Sequence, residues 1–420
     1  MNYVFGSWMN KMKIAVLGLG IEGKKSVKAL LDQEHIVYAS DLNQNIDVSE
    51  FKSGKLDVDL GCHDQKKIDE SDAVVLSPSL WNKDAVKQIL GKNKLFSDVL
   101  SAHKSIFTIG VTGTNGKTTS CHMIHEILVK AGYNVLMGGN AGGGFDGYTK
   151  LIIDANNADY DLMLVEVCDM TLDFASHIFD FDMVLVTNIG FDHMEFHLSI
   201  ENYLKSICRF LKGKKQVILN GKDPLLVRCK DCAEQTYFFD SKIRKLNLFG
   251  TFNQENASGA FKTAELLDIP SNLVEDVLSN FEGVEGRTKT MKLNGSNIII
   301  GKTDNPDATA AVFSEAAVDV MVIGTPRKHE KFRYNILKEV AKTNPSEVVL
   351  FPGLDNTTTV AKEVLIQNGY KRPILIVDEI SDIIELVLKF TETYHTIFIG
   401  GNGQAKIMSL QSSLMQLVHE

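Results

Sequence analysis

The sequence has few cysteines and lacks any dense pattern of them. Six cysteines among 420 residues are too few for the disulfide framework of a small secreted domain. Cys229 and Cys232 form one C-x-x-C pair, but no second pair follows to complete a zinc site, so two ordinary cysteines near a turn are the favoured interpretation. The others lie within or beside apolar runs, as reduced buried thiols do, and this predicts a cytoplasmic protein.

Long apolar runs and an excess of basic charge are also missing. No apolar run reaches the ~20 residues that a membrane-spanning helix needs. Residues 1–13 lack the apolar core of a secretory signal. The formal net charge of -9 argues against broad binding to DNA or RNA, although local loops can still hold small anions. We therefore expect no nucleic-acid partner and no membrane insertion.

The length and the apolar pattern indicate several domains of one class. A chain of 420 residues is too long for a single hydrophobic core. Short apolar runs alternate with longer amphipathic segments in three blocks, which predicts an α/β protein with three domains and mainly parallel sheets. The expected domains cover residues 1–103, 104–282 and 283–420.

The same pattern predicts individual elements. In the first block we expect a helix over 24–33 and strands at 13–17, 36–40 and 73–76. In the second block we expect helices over 119–131 and 200–211 and strands at 105–111, 162–167, 183–187 and 216–219. A helical stretch over 254–281 precedes the third block, whose strands are expected at 320–323, 348–351, 374–377 and 396–399.

The most specific motif is a glycine-rich loop between a predicted strand and a predicted helix. It reads Gly113-Thr114-Asn115-Gly116-Lys117-Thr118-Thr119. Glycines let successive N–H groups turn toward phosphate oxygens, and the helix N-terminus adds partial positive charge. Lys117 adds a full charge, and the Thr118 hydroxyl stands where a magnesium ligand belongs. Although Val111 replaces the first glycine of the strict pattern, the loop predicts binding of nucleotide phosphates.

Polar side chains follow two later strands of the same block. Glu166 lies in the expected strand 162–167, and Asn188, Asp192 and His193 follow the strand 183–187. Taken alone, Glu166 would be a solvated strand end and His193 a capping or core histidine. Because carboxyl ends of parallel strands meet at one crevice, both residues are expected beside the glycine loop. There they are better interpreted as holding magnesium against phosphates.

A second glycine-rich turn follows the first strand. It reads Gly18-Leu19-Gly20-Ile21-Glu22-Gly23, and Asp41 closes the next strand. The spacing fits the dinucleotide fingerprint, in which the acid reaches a ribose hydroxyl. This motif is weak alone, and no second set of residues for redox catalysis accompanies it. A fold for another phosphorylated ligand is the less specific interpretation.

The order of these motifs resembles the Mur ligase family, whose members add amino acids to nucleotide-linked cell-wall precursors. The resemblance covers nearly the whole chain, and it also rests on the segments Gly138-Gly139-Asn140, Thr187-Asn188, Gly250-Thr251-Phe252-Asn253 with Asn256, and Gly286-Arg287. It implies a Rossmann-like N-terminal domain, a central P-loop ATPase domain and a Rossmann-like C-terminal domain. It also implies ATP-dependent amide-bond formation through an acyl-phosphate, with release of ADP and phosphate.

The resemblance implies roles for single residues. The catalytic residues would be Lys117, Glu166 and His193. ATP would bind the loop 113–119, with further contacts from Asn253, Asn256 and Arg287. One Mg²⁺ would be held by Thr118 and Glu166, and a second would be served by His193. The UDP-linked precursor would bind at Gly18, Gly20, Gly23, Asp41 and Asn140. A free amino acid would be the other substrate, and we expect a monomer.

Some residues depart from the family pattern. Many members carry a lysine modified by carbon dioxide about four residues after an aromatic residue, whereas here Ile207 holds that place after Tyr203. Lys205 is nearby but out of register, so the helix looks more like the alanine-adding branch. Together with a short first domain, these features look most like archaeal pseudomurein peptide ligases. Arg327 and Lys328 would either hold the carboxylate of the amino acid or be solvated surface charges, and the second interpretation is favoured.

Other functions share parts of this pattern. A folylpolyglutamate-type ligase has the ATP loop and the Asp-His segment but lacks the first domain. An ATP-binding subunit that needs an amidotransferase partner would not act alone. An NAD-dependent dehydrogenase would have to consume reduced cofactor.

Overall fold

The computed structural model describes residues 11–81, 94–240 and 245–419. Residues 1–10, which make up most of the segment considered as a secretory signal, lie outside the described residues. Within the described ranges there are three separate sheets. None of the helices in these ranges is long and apolar enough to cross a bilayer.

The first sheet is fully parallel and has the strand order β3-β2-β1-β4. Its strands are β1 (Lys13–Leu17), β2 (Ile36–Asp41), β3 (Leu56–Leu60) and β4 (Ala73–Leu76). The helices of this region are α1 (Ile21–Asp32), α2 (Gln65–Asp69) and α3 (Phe96–Val99). Apart from Lys13, strands β1 and β4 are continuous buried apolar runs, which is typical of a parallel sheet.

The central sheet is also parallel, with the order β10-β9-β8-β5-β7-β6. Its strands are β5 (Phe107–Thr112), β6 (Val135–Gly139), β7 (Leu162–Glu166), β8 (Met183–Val186), β9 (Gln216–Asn220) and β10 (Gln235–Phe239). Its helices are α4 (Lys117–Lys130), α5 (Tyr148–Asn157), α6 (Leu172–Ile178), α7 (Met194–His197), α8 (Ile200–Leu211), α9 (Pro224–Val227), α10 (Thr251–Glu265) and α11 (Ser271–Asn280). Because β5 lies between β7 and β8, the loops that follow these three strands meet at one edge.

The third sheet is mixed, with the order β11-β12-β16-β13-β14-β15. Its strands are β11 (Lys289–Leu293), β12 (Ser296–Ile300), β13 (Val320–Gly324), β14 (Glu347–Phe351), β15 (Ile374–Ile376) and β16 (Thr396–Gly401). Its helices are α12 (Pro306–Glu315), α13 (Asn335–Thr343), α14 (Thr358–Gln367), α15 (Ile380–Thr391) and α16 (Gln404–His419). Only the pair β11 and β12 is antiparallel among the strand pairs of this sheet in the described residues.

The expected α/β class with mainly parallel sheets is confirmed, and the differences are local. The expected helical stretch 254–281 is two helices, α10 and α11, because Pro270 cannot continue the first. The hairpin β11–β12 was not expected, although Asn294 and Gly295 at its turn both have positive φ angles, as a tight hairpin turn requires. The domain boundaries near 103 and 283 stay predictions.

Helix α1 of the first region packs against α5 of the central region. The Glu22 Oε1 atom accepts a hydrogen bond from the Tyr148 backbone N–H at 2.6 Å. The Ser26 and Thr149 hydroxyls lie 2.7 Å apart, and the Lys25 ammonium donates to the Phe145 carbonyl. This contact therefore places a carboxylate at the N-terminus of α5.

The contact at Glu22 gives a pH-dependent prediction. Burial of its carboxylate raises the pKa to about 7 from 4.5, although hydrogen bonds from the backbone at Tyr148 and Thr149 oppose the change. Because the folded pKa is the higher one, the stabilisation is complete below pH 4.5 and is lost as the pH rises through about 7. We expect Glu22→Gln, which stays neutral, to be more stable than the natural protein above this range by up to about 3 kcal/mol.

Urea unfolding of both proteins between about pH 5 and about pH 8 measures this difference, which should shrink toward the acid end. Glu50→Gln is a control, because Glu50 is an exposed carboxylate of the same region that pairs with Lys24. A Glu22→Gln difference that did not change with pH would contradict the prediction.

Candidate active site between the central and third sheets

A cavity of about 680 Å³ lies where the central and third regions meet. Its walls are the loops that follow β5, β7 and β8, one face of α10, and third-region residues that include Lys302, Asp304 and Arg333. The volume is that of a site for a nucleotide-sized ligand. All of the polar strand ends expected at one crevice, Glu166, Asn188, Asp192 and His193, line it.

The glycine loop after β5 is held in shape by side chains from other elements. Gly113 and Gly116 have φ angles of +129° and +86°, and a Cβ atom at either would collide with the side chain of Thr187 or Asn256. Asn188 accepts a hydrogen bond from the Asn115 backbone N–H at 2.9 Å and donates one to the Asn115 carbonyl at 3.0 Å. Both glycines are therefore required for conformation and for close packing.

Lys117 is the first residue of α4 and lies over the loop. Its ammonium donates to the Gly113 carbonyl at 2.7 Å and to the Thr114 carbonyl at 2.8 Å. Burial alone would lower the pKa of Lys117, but nearby acidic groups, including Asp169 and Glu166, raise it above its usual value. A full positive charge is thus kept at the N-terminus of a helix, where anions bind.

Thr118 and Glu166 form an oxygen pair beside this lysine. The Thr118 hydroxyl donates to Glu166 Oε2 at 2.7 Å, and the Asn140 side chain donates to Glu166 Oε1 at 2.9 Å. Neighbouring ligands of an octahedral Mg²⁺ with bonds of about 2.0–2.1 Å lie about 2.9 Å apart, so this pair fits two ligand positions. Asn140, which is predicted to contact the precursor, lies against Glu166 in this cavity.

Arg287 reaches this pair from the segment before β11. Its guanidinium donates to the Thr118 hydroxyl at 2.6 Å and to the Gly143 carbonyl at 3.1 Å. The sequence interpretation placed Arg287 at the nucleotide from the third domain, and the structure does bring it to the central loop. The segment before β11 therefore contributes a positively charged side chain beside the glycine loop.

A second group of possible metal ligands lies on the β8 side of the cavity. The ligand atoms of Cys168, Asp169 and His193 all lie within 4.8 Å of one another. His193 has a φ angle of +48°, a left-handed conformation that is uncommon outside glycine. His197 is buried and its Nε2 atom lies 2.8 Å from Asp169 Oδ2, while Asp169 Oδ1 lies 4.0 Å from His193 Nε2. One oxygen of Asp169 is thus held by His197, and the other faces His193.

Electrostatics keep Asp169 ionised. Burial would raise its pKa, but the neighbouring His193, His197 and Lys117 hold it well below its usual range. A buried carboxylate beside an imidazole is an arrangement that holds divalent cations. Asp169 was not predicted as a site residue, although it is the second acid of the segment Glu166-Val167-Cys168-Asp169 that leaves β7.

The place of the modified lysine is filled differently. Ile207 on α8 is fully buried in the core, and Lys205 is exposed. Neither lines the cavity. Tyr203, one turn earlier, stacks on His197 and has its hydroxyl 3.3 Å from the Thr114 hydroxyl. This helix therefore contributes no cation ligand to the cavity.

Helix α10 supplies the side of the cavity expected at adenine. Asn256 donates to Asn253 Oδ1 at 3.1 Å, and Asn253 donates to the Phe249 carbonyl at 2.8 Å. The surrounding lining is largely apolar and includes Leu248, Phe252, Val284, Ala308 and Ala311. Two amides within an apolar wall suit a flat, polar-edged base.

A buried ion-pair network joins the third region to the loops that follow β5 and β8. The Arg333 guanidinium contacts both oxygens of Asp192 at 3.0 and 3.1 Å and Asp304 Oδ2 at 3.1 Å. The side-chain amides of Asn115 and Asn305 also pair across the two regions. Sequence analysis missed this network, because Arg333 lies in a short polar segment without periodicity. Two charged residues were considered as possible contacts of the amino acid carboxylate. Of these, Arg327 lines the cavity and Lys328 is exposed.

The glycines of the second glycine-rich turn lie outside this cavity. A Cβ atom at Gly23 would collide with the Gly18 carbonyl, whereas one at Gly20 would have nothing within 4 Å. Asp41 Oδ2 accepts a hydrogen bond from the Leu19 backbone N–H at 2.6 Å. Gly18 and Gly23 are therefore packing glycines, and the turn is open only at Gly20. The adjacent Ile21 does line the cavity.

Comparison with known proteins finds a family model that matches part of the central region and relatives that match most of the chain. Residues 111–240 match the model of the Mur ligase middle domain. A UDP-N-acetylmuramoylalanine--D-glutamate ligase of Pseudothermotoga lettingae is 28% identical over 308 residues, which cover 68% of this chain and 69% of that protein. The corresponding ligase of Caldanaerobacter subterraneus subsp. tengcongensis is 24% identical over 434 residues, with 93% of each chain covered.

Solved structures show the same fold at lower identity. A pseudomurein peptide ligase type C from Methanothermus fervidus is 19% identical, with a TM-score of 0.60 over 97% of this chain and 99% of that chain. A UDP-N-acetylmuramate-alanine ligase from Thermotoga maritima has a TM-score of 0.61 at 16% identity, covering 96% of this chain and 99% of its own. A folylpolyglutamate synthase from Mycobacterium tuberculosis, complexed with ADP and AMPPCP, has a TM-score of 0.62 at 14% identity but covers only 75% of this chain and 93% of its own.

Proposed function

We propose that this chain, whose residues 111–240 match the Mur ligase middle domain, is an ATP-dependent ligase that joins an amino acid to a UDP-linked cell-wall peptide precursor through an acyl-phosphate. The observation that carries the proposal is the convergence of Lys117, the Thr118–Glu166 pair and the Asp169–His193 pair on one cavity. A loop for nucleoside triphosphate phosphates thus lies beside two places for divalent cations.

The first step requires two anions to meet. The precursor carboxylate attacks the γ-phosphorus of ATP, the bond to the bridging oxygen breaks, and ADP leaves. Lys117 and the N-terminus of α4 offset the repulsion between the carboxylate and the phosphates. Mg²⁺ held by Thr118 and Glu166, with a second ion at Asp169 and His193, would polarise the phosphate oxygens. Arg287 lies where it can pair with a phosphate oxygen.

The second step requires that the acyl-phosphate and the amine are held in position, and it requires no nucleophile from the protein. The amine of the incoming amino acid attacks the acyl carbon, the carbon–oxygen bond to phosphate breaks, and the nitrogen loses a proton. Holding acyl-phosphate and amine together supplies much of the rate enhancement. The walls of the cavity come from two regions bridged by Arg333, an arrangement that suits closure around reactants.

The first region is proposed to bind the UDP end of the precursor. Its turn leaves open backbone at Gly20, where a diphosphate can approach, and its neighbour Ile21 reaches the cavity. The pseudomurein and alanine-adding ligase structures cover 97% and 96% of this chain, whereas the folylpolyglutamate synthase covers 75%. A ligase with a domain for a nucleotide-linked acceptor is therefore favoured over a folate enzyme. That the precursor is of the pseudomurein type is a narrower proposal, which rests on the departures from the family pattern, including Ile207, together with the short first domain.

The test is a screen of free amino acids for ATP-dependent phosphate release with UDP-peptide acceptors. We expect release of ADP and phosphate only when the acceptor, one type of amino acid and Mg²⁺ are all present. Calorimetry should detect binding of UDP alone. Activity with a folate acceptor and no UDP binding would support the folylpolyglutamate interpretation instead. Inactivity of the single chain that is relieved by an amidotransferase partner would assign it as the ATP-binding subunit of a pair.

A further inference from the structure

Three cysteine sulfurs come together on the side of the central region that carries α8 and α9. The Sγ atoms of Cys208, Cys229 and Cys232 all lie within 4.8 Å of one another, and those of Cys208 and Cys229 lie 2.9 Å apart. Thiolates at tetrahedral positions about 2.3 Å from a zinc ion lie about 3.8 Å apart, so small side-chain movements would place all three around one ion. The C-x-x-C pair is therefore completed by a cysteine 21 residues earlier.

The backbone from Cys229 to Cys232 forms a tight turn, as the backbone of a C-x-x-C metal-ligand pair does. The Cys232 backbone N–H donates to the Cys229 carbonyl at 3.0 Å, which closes a tight turn and brings both side chains to one side. Cys229 is fully buried, whereas Cys208 and Cys232 are partly exposed. The group is thus fixed on the protein side and accessible from solvent, where a water or a small thiol can supply a fourth ligand.

The two elements that carry the sulfurs support the candidate active site. Cys208 lies on α8, the helix whose Tyr203 hydroxyl is near Thr114 of the phosphate loop. The turn with Cys229 follows α9, whose capping residue Asp223 accepts a hydrogen bond from the Ile189 backbone N–H at 2.7 Å. A link between α8 and this turn would therefore stiffen the support of the loops after β5 and β8.

We propose that Cys208, Cys229 and Cys232 form a binding site for a thiophilic metal ion such as Zn²⁺, separate from the nucleotide cavity. Soft thiolate ligands select ions of this kind over Mg²⁺. Binding replaces the thiol protons and releases them to solvent. The ion holds α8 and the turn after α9 together, and it takes no part in ATP chemistry.

The experiment uses the full chain, purified under reducing conditions, and Cd²⁺ as the probe. The titration is done in a Cys168→Ser background, so that the group of Cys168, Asp169 and His193 contributes no thiolate. We expect a thiolate-to-metal charge-transfer absorption that saturates at one ion per chain. Cys229→Ser should weaken binding by about 100-fold or more. Because Cys229 lies in the core, Cys208→Ser and Cys232→Ser, at partly exposed positions, are tested as well. Circular dichroism checks the folding of each variant.

Two other cysteines serve as matched controls. Cys121→Ser removes a buried thiol of α4, and Cys62→Ser removes an exposed thiol of the first region. Both variants should bind Cd²⁺ as the natural chain does. The proposal is overturned if no charge-transfer band forms, or if the band survives Cys208→Ser and Cys232→Ser. A disulfide between Cys208 and Cys229 would also overturn the proposal. In that case the unreduced, metal-free chain, once denatured, would show four titratable thiols of its six cysteines, and peptide mapping would find Cys208 joined to Cys229.

Discussion

Replacement of Lys117 by alanine is expected to lower the rate of ATP-dependent phosphate release by about 10³-fold, the upper range for loss of one preorganised electrostatic group. Its ammonium is the full positive charge nearest the loop, and its pKa is raised by the acids around it, so it stays charged. Alanine is a strong helix former, and α4 should remain intact. The measurement is a steady-state assay of ADP release with a UDP-peptide acceptor and its amino acid.

Lys130→Ala is the matched control, because Lys130 lies in the last turn of the same helix and is exposed. It should leave the rate within experimental error. Thermal unfolding of both variants separates loss of function from loss of fold. Ligation that continues unchanged in Lys117→Ala would show that the glycine loop does not bind the reacting phosphates.

Replacement of Asp169 by asparagine is expected to lower the turnover rate by about 10²-fold and to raise the Mg²⁺ concentration needed for half-maximal activity by about tenfold. Asparagine keeps the size of the side chain and an oxygen for the bond to His197, but it removes the negative charge that faces His193. Ile207 holds the place of the modified lysine that many Mur ligases carry, and the carboxylates of Asp169 and Asp192 lie 4.0 and 3.7 Å from His193 Nε2. We therefore infer that Asp169 takes the place of the missing lysine as an anionic ligand.

The Mg²⁺ dependence is the decisive readout, and Mn²⁺ binding in the presence of ADP measures the same affinity without turnover. Asp173→Asn is the control, since Asp173 lies four residues further along the chain and pairs with Arg209 at the surface. Such an exposed pair contributes at most about 1 kcal/mol, so this variant should show unchanged Mg²⁺ dependence. If Asp169→Asn loses activity at an unchanged Mg²⁺ requirement, the residue acts only by positioning His197.

The fold could be predicted where strands are continuous apolar runs. The expected strands 13–17 and 73–76 and the helix 200–211 match β1, β4 and α8 residue for residue. The missed strands β6, β10 and β11 lie at sheet edges, where β6 ends in two glycines and β10 and β11 carry polar residues, so burial leaves a weak signal in the sequence. Strand β3 carries two aspartates at another sheet edge and was missed for the same reason. Strand β12, the partner of β11, was missed as well, although residues 298–300 are buried.

The candidate site was predictable only where its residues stand at the carboxyl ends of adjacent parallel strands. The glycine loop, Glu166 and His193 follow three adjacent strands, so their meeting follows from a parallel sheet. The pairing of Arg333 with Asp192 spans 141 residues, and Cys208 meets Cys229 through the packing of two helical segments. Such contacts depend on how elements pack, which no local pattern reports. The roles of the site residues stay predictions until the variants are measured.

The packed glycines of the phosphate loop have a consequence for nucleotide affinity. Thr187, Asn188 and Asn256 hold the loop in its cradle shape through contacts within the protein, so folding has already ordered the backbone that phosphates would meet. If the loop were flexible, ordering its backbone at the moment of binding would cost about 1–2 kcal/mol for each residue. ATP binding should therefore show no large unfavourable entropy from loop ordering. A change that loosens the loop, such as Asn188→Ala, would weaken affinity in part through that entropy.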